Sequence, residues 1–140
     1  LLFHPSGSLG KGVLYTVGDL MIKGEELPLA SEDMKFTDVV KIITEKKLGC
    51  IILTDNSGKM TGVITDGDIR RVIMKHIQID NLIAKDVMTH NPKTVSEKAL
   101  AVKALALMEK HSITSVAVCD ENKIPIGIIH IHNLLKAGVA

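Results

Sequence analysis

The residues best equipped for chemistry stand in one run, Thr65-Asp66-Gly67-Asp68-Ile69-Arg70-Arg71. The run follows Gly62-Val63-Ile64, so it lies where an apolar strand gives way to a helix. The first N–H groups of a helix and its dipole favour an anion. A carboxylate at that corner can accept from both hydroxyls of a cis-diol, and two arginines can grip a phosphate or carboxylate in bidentate fashion. The same residues also suit plainer roles. Thr65 and Asp68 stand three apart, as a capping box requires, and such a cap contributes about 1 kcal/mol. Asp66 and Arg70 stand at i and i+4, the spacing of a solvated helix pair. From the residues alone both readings remain open.

An echo of the run lies 65 positions on, as Gly127-Ile-Ile-His130-Ile131-His132-Asn133-Leu-Leu-Lys136. Here His130 replaces Thr65 and Asn133 replaces Asp68. Asn133 still accepts from and donates to hydroxyls, but it carries no charge. His130 and His132 alternate, so on a strand they would share a face. They read as half-buried imidazoles, as donors to a ligand's sugar or phosphate, or as metal ligands. No nearby Cys, Asp or Glu completes a metal set, so no metal is expected. Upstream, His111-Ser-Ile-Thr114-Ser115-Val116 marks a helix yielding to a strand. The Thr114 and Ser115 hydroxyls are candidate ligand contacts or ordinary strand-start residues. Their counterparts Gly49 and Cys50 offer only backbone. Charged groups in one copy and hydroxyls in the other suggest inequivalent clefts and a composite ligand site.

The elements that must position these residues form an internal repeat. At the offset of 65, Leu48–Asp55 falls on Ile113–Asp120, and Val40 and Ile43 fall on Leu105 and Met108. A further marker, Val17-Gly-Asp-Leu-Met21, resembles Lys85-Asp-Val-Met88 at an offset of 67. Each copy reads β-α-β-β-α. Extended pieces are expected at Leu27–Ala30 and Lys93–Val95. One helix carries Phe36, Val39, Val40, Ile43 and Lys47, with Gly49 as its stop; the other starts at a Ser96 cap and carries Leu100, Ala104, Leu107, Met108 and His111. Strands follow at Cys50–Thr54 and Met60–Thr65, then at Ser115–Cys119 and Ile126–His130. The closing helices run from about Asp66 to His76 and from about His132 to Ala137. The expected division is 1–16, a leading tail and linker; 17–76, the first repeat; 77–85, a linker; and 86–140, the second repeat. The fold class is α+β, with two small units packed sheet to sheet about a pseudo-twofold axis.

Composition excludes several partners. Aromatics are only 2% of the 140 residues (Phe3, Tyr15 and Phe36), so bases have no stacking platform. Seventeen basic side chains face 16 acidic ones, with no basic run, so neither nucleic acid nor an anionic membrane is expected. No apolar run reaches membrane-spanning length. Cys50 and Cys119 lie inside apolar runs without metal-ligand spacing and read as buried thiols in a reducing, cytoplasmic compartment. The start LLFHPSGSLG has neither an initiator Met nor the basic beginning of a signal peptide, and reads as part of a longer chain. No activated nucleophile or paired acid and base stands at workable positions, so this fragment is not expected to be an enzyme.

The duplicated unit ending in Gly62-Val-Ile-Thr65-Asp-Gly-Asp68-Ile69 resembles the CBS domain, and the tandem resembles a CBS pair, or Bateman module. Phe3-His4-Pro-Ser-Gly-Ser-Leu-Gly10 is similar to the end of a sugar isomerase (SIS) domain, with Ser6 where that family usually has Gly. With the runs at 65–71, 111–116 and 130–135, the likeness extends to the C-terminal part of D-arabinose 5-phosphate isomerases, whose product feeds synthesis of Kdo, a lipopolysaccharide sugar. The resemblance implies that Thr65 and Asp68 hydrogen-bond the ribose or phosphate of a nucleotide. It implies that His4 belongs to an isomerase active site whose companions lie upstream. It implies an upstream SIS domain and a homodimer through the CBS helices. No cofactor is required. The implied role is regulatory, sensing a nucleotide-bearing metabolite. CMP-Kdo, the pathway's end product, offers a ribose, a phosphate and a carboxylate; AMP or ATP is the second candidate. The alternative is a structural dimerisation module that binds nothing.

Overall fold

The computed structural model describes residues 14–75 and 78–139. His4, most of the 1–16 tail, the end of the first repeat at His76 and the start of the 77–85 linker lie outside the described residues.

The elements run in the order α1 (Val17–Leu20), β1 (Leu29–Ser31), α2 (Phe36–Lys46), β2 (Cys50–Thr54), β3 (Met60–Thr65) and α3 (Asp66–Lys75). There follow α4 (Ala84–Val87), β4 (Thr89–His90), β5 (Thr94–Val95), α5 (Ala101–His111), β6 (Ser115–Cys119), β7 (Pro125–His130) and α6 (Ile131–Lys136). They form two mixed sheets, β1-β2-β3-β4 and β5-β6-β7, so the α+β class and the duplicated β-α-β-β-α order hold. In each sheet the first pair is parallel and the hairpin after it antiparallel. The hairpin turns share one device. Asp55 Oδ1 accepts from the Ser57 and Lys59 N–H groups at 2.9 and 3.0 Å, and Asp120 Oδ1 from those of Asn122 and Ile124 at 2.8 and 3.0 Å. Local side-chain bonding of this kind fixes a turn without help from the core.

The packing units do not follow the chain order of the repeats. Residues 14–24 pack with 93–139, and Glu25–Pro92 forms the other unit. The two similar markers have thus changed places: α1 closes the later repeat and α4 the earlier one. Each does so by the same backbone bonds. Val17 N and Gly18 N donate to Ala99 O and Glu97 O, both at 2.8 Å, while Ala84 N and Lys85 N donate to Met34 O and Glu32 O, again at 2.8 Å. The crossing segments also seal the helix starts. Phe36 N donates to Leu82 O at 2.9 Å, and Ala101 N to Tyr15 O at 2.8 Å. This corrects the expected Ser96 cap. The cap position of α5 is Leu100, and the Ser96 hydroxyl accepts instead from Lys98 N within a turn. Gly49 is likewise not the residue that stops α2. Lys47 takes the left-handed conformation there (φ 60°), as Ser112 does after α5 (φ 54°).

Each unit has its own apolar core. One gathers Ala30, Val39, Ile43, Ile51, Leu53, Ile64, Ala84 and Met88. The other gathers Val17, Ala104, Met108, Val116, Val118, Ile129 and Leu134 with their neighbours. Leu, Ile, Val, Met and Ala fill both, which is what a chain this poor in aromatics must use. Cys50 is buried, Cys119 only half-buried, and neither is in a disulfide. Among the described residues no helix is long and apolar enough to cross a membrane.

Gly62 and Gly127 mark where the crossing segments press on β3 and β7. A Cβ on Gly62 would stand 2.6 Å from Met88 Sδ and 2.7 Å from the Thr89 carbonyl oxygen. One on Gly127 would stand 2.5 Å from Met21 Sδ. Gly62→Ala therefore pushes against backbone as well as side chain, and is expected to cost about 1–3 kcal/mol. Gly67→Ala meets nothing nearer than 3.5 Å and should leave the fold at least as stable, because Ala suits a helix better. Melting temperatures of the two variants against the parent check this contrast.

Candidate functional site

In the Glu25–Pro92 unit the charged run closes the corner between β3 and α3. Thr65 N donates to Asp68 Oδ2 at 2.9 Å, and Asp68 N donates to Thr65 Oγ1 at 3.2 Å. These reciprocal bonds satisfy two backbone donors at the helix start. The Thr65 hydroxyl donates to the same carboxylate oxygen at 3.1 Å, and the Thr89 hydroxyl reaches it at 3.5 Å. Asp68 Oδ1 accepts from Arg71 Nη2 at 2.6 Å. Asp68 is 8% exposed, buried among these partners. The guanidinium of Arg71 folds back over the first turn, 3.5 Å from where a Gly67 Cβ would stand.

The geometry amends two expectations. Asp66 and Arg70 form no ion pair among the described residues; the pair is Asp68–Arg71, at i and i+3. Nor does the helix start present a row of open N–H groups. Asp68 N goes to Thr65, and Asp66 N donates to Gly49 O at 3.0 Å. Gly49 matters here in a way its lack of a side chain concealed. It holds φ +73°, and a Cβ there would stand 3.2 Å from Asp66 Oδ2. Thr89 was also missed; its one signal is the polar residue after Met88 where Ile22 follows Met21. Two carboxylates and two guanidiniums leave the corner neutral, so an anion would be drawn by the arginines and opposed by Asp66 and Asp68.

The other unit builds the same corner without charge. His130 N donates to Asn133 Oδ1 at 3.1 Å, as Thr65 N does to Asp68. Ile131 N donates to Thr114 O at 2.8 Å, as Asp66 N does to Gly49. Ser115 pairs with His130 across β6 and β7, as Cys50 pairs with Thr65. His130 and His132 do meet, but not as neighbours on one face of a strand. His130 ends β7 and His132 lies in the first turn of α6, and their rings stack with centroids 4.8 Å apart and planes 16° off parallel. His132 N donates to His130 Nδ1 at 3.1 Å, so the neutral ring carries its proton on Nε2. Burial, and then the charge of His132, push the His130 pKa below its usual value. His111 and Thr114 are exposed and Ser115 half-buried. Among the described residues no three His, Cys, Asp or Glu side chains are grouped to hold a metal ion. The candidate residues thus divide by unit: Thr65, Asp66, Asp68, Arg70 and Arg71 in one, and His111, Thr114, Ser115, His130, His132 and Asn133 in the other.

The depressed His130 pKa fixes the sign of a pH effect. Between the lowered folded value and the unfolded value of about 6.5, the unfolded chain binds more protons. Stability is therefore full above about pH 6.5 and falls as the pH drops toward the folded pKa. Protonation also removes the acceptor for His132 N. His130→Thr, which restores a hydroxyl cap, should flatten the part of the pH 7-to-5 stability loss that belongs to this ring, as urea unfolding across that range would read.

The CBS domain family model matches residues 17–75 and 84–140. An uncharacterized protein of Rickettsia prowazekii is 43% identical over 139 residues, covering 99% of this chain and 42% of its own length. The arabinose 5-phosphate isomerase KdsD of Yersinia pestis is 41% identical over 138 residues, again covering 99% of this chain and 42% of its own length. The chain thus spans about two fifths of the length of these relatives. A CBS domain protein of Pyrobaculum aerophilum, solved in complex with AMP, shares the fold at a TM-score of 0.77 and 20% identity, covering 89% of this chain and 99% of that one. With its two matched segments and their duplicated corners, the chain belongs to the CBS domain family.

Proposed function

We propose that this chain is the regulatory, nucleotide-binding CBS pair of an arabinose 5-phosphate isomerase, joined to an upstream SIS domain in a cytoplasmic homodimer. The observation that carries the reading is the Asp68–Arg71 pair at the start of α3. It sets a diol acceptor beside an anion holder, and the other copy has Asn133 and Lys136 at the corresponding places. The relationship to the Yersinia enzyme supports the isomerase context. The AMP held by the Pyrobaculum protein supports a nucleotide as the class of effector. CMP-Kdo suits the corner chemically, with a ribose for Asp68 and two anionic groups for Arg70 and Arg71, and it would close a feedback loop in Kdo synthesis. AMP and ATP are the rival effectors.

One observation favours an architectural role instead. Among the described residues the donors to Asp68 all come from its own unit, and the reciprocal Thr65–Asp68 bonds are those of a helix cap. Calorimetric titration of the chain with CMP-Kdo, AMP and ATP separates the two readings. Saturable binding of one of them, lost in Asp68→Ala, is the expected outcome. At one hundred times its dissociation constant the ligand should add about 2.7 kcal/mol of stability. No binding by any of the three leaves Thr65 and Asp68 as a cap and the pair as a scaffold.

A further inference from the structure

Resting on the nucleotide reading above, we propose that Arg71 is the residue by which the corner selects a phosphorylated nucleotide over its nucleoside. The two oxygens of Asp68 are not equivalent. Oδ2 is held by Thr65 N, the Thr65 hydroxyl and the Thr89 hydroxyl. Oδ1 accepts from Arg71 Nη2. Among the described residues Oδ1 has this one donor, so a ligand diol that reads Asp68 without undoing the helix cap approaches Oδ1 and competes with Arg71 for the little of the carboxylate that is open.

The pair is also lopsided in burial. The Arg71 side chain is 63% exposed and that of Asp68 11%. Arg71 can be released toward water, whereas the carboxylate needs its replacement at once. A neutral diol offers hydroxyl donors in place of an ion pair in which both partners carry charge. A nucleoside alone thus trades a strong contact for weaker ones. A nucleotide restores the balance, because its phosphate takes the guanidinium that its ribose has displaced. The position of Arg71 suits that exchange. Both Nη atoms lie over the first turn, 3.5 Å from the Gly67 Cβ position, so a short swing keeps them at the mouth of the same helix. Arg70 is exposed and pairs with neither acid of the run among the described residues. The other unit lacks the device, since neutral Asn133 accepts there from His130 N.

The test is the ratio of two affinities. The chain, Arg71→Ala and Arg71→Gln are titrated calorimetrically with AMP and adenosine, and with CMP and cytidine in parallel. Arg71→Gln keeps an N–H donor for Asp68 and guards against a variant that fails to fold. The parent chain should prefer the nucleotide by roughly tenfold or more, and both variants should shrink that preference to within about threefold, with weaker nucleotide binding and unchanged or tighter nucleoside binding. A parent-like ratio in either folded variant, or a parent that binds both forms equally, overturns the role of Arg71 and leaves the nucleotide reading standing. A parent chain that binds none of the four overturns this inference, and if it binds neither CMP-Kdo nor ATP the nucleotide reading falls with it.

Discussion

Asp68 holds one corner of the molecule closed, and much of its unit is arranged around that. A helix that begins directly after a strand leaves backbone donors without partners. Here the Asp68 carboxylate takes the Thr65 N–H, the Thr65 hydroxyl takes the Asp68 N–H, and Gly49 O takes the Asp66 N–H. The second of these needs a hydroxyl at the end of β3, and the third brings the start of β2 against the start of α3. In the other unit the same skeleton is kept with different chemistry: His130, Asn133 and Thr114 stand in the corresponding places. A corner whose capping bonds need only an acceptor at each place can be built from charged or neutral side chains without changing its shape. That is why one copy can carry charge and the other not.

A second constraint acts on the strands that lead into these corners. Met88 and Met21 pack so closely on β3 and β7 that only glycine fits at 62 and 127. The crossing segments that bring these methionines also seal the starts of α2 and α5 by backbone bonds. The glycine that opens each Gly-apolar-apolar run is thus set by packing, while the polar residues three and six positions later are set by the helix start. Structural and functional demands are interleaved within one short stretch.

The local elements were legible because each carries its own signal. Cys50–Thr54 and Met60–Thr65 fall where the apolar runs put them, and their counterparts lie 65 residues on. What was not legible depends on which piece of chain meets which. The likeness of Val17–Met21 to Lys85–Met88 was plain, but similarity carries no statement of which repeat each segment closes. The start of α5 was misplaced for the same reason, since Tyr15 O, a distant backbone atom, does the work assigned to Ser96. At the site, spacing gave the Thr65–Asp68 box correctly but favoured Asp66 with Arg70. Burial decided otherwise, because the sheltered carboxylate of Asp68 gains more from a cation than the exposed one of Asp66 does.

The charged corner is the point at which a ligand must be found if the account is right. Amide and guanidinium NMR spectra of the labelled chain, recorded while AMP and then CMP-Kdo are added, address it most directly. The first and largest changes should fall at Thr65, Gly67, Asp68 and the Arg71 side chain for at least one of the two. Changes centred on His130, His132 and Asn133 instead, or changes that leave the Asp68–Arg71 pair untouched, would contradict the account.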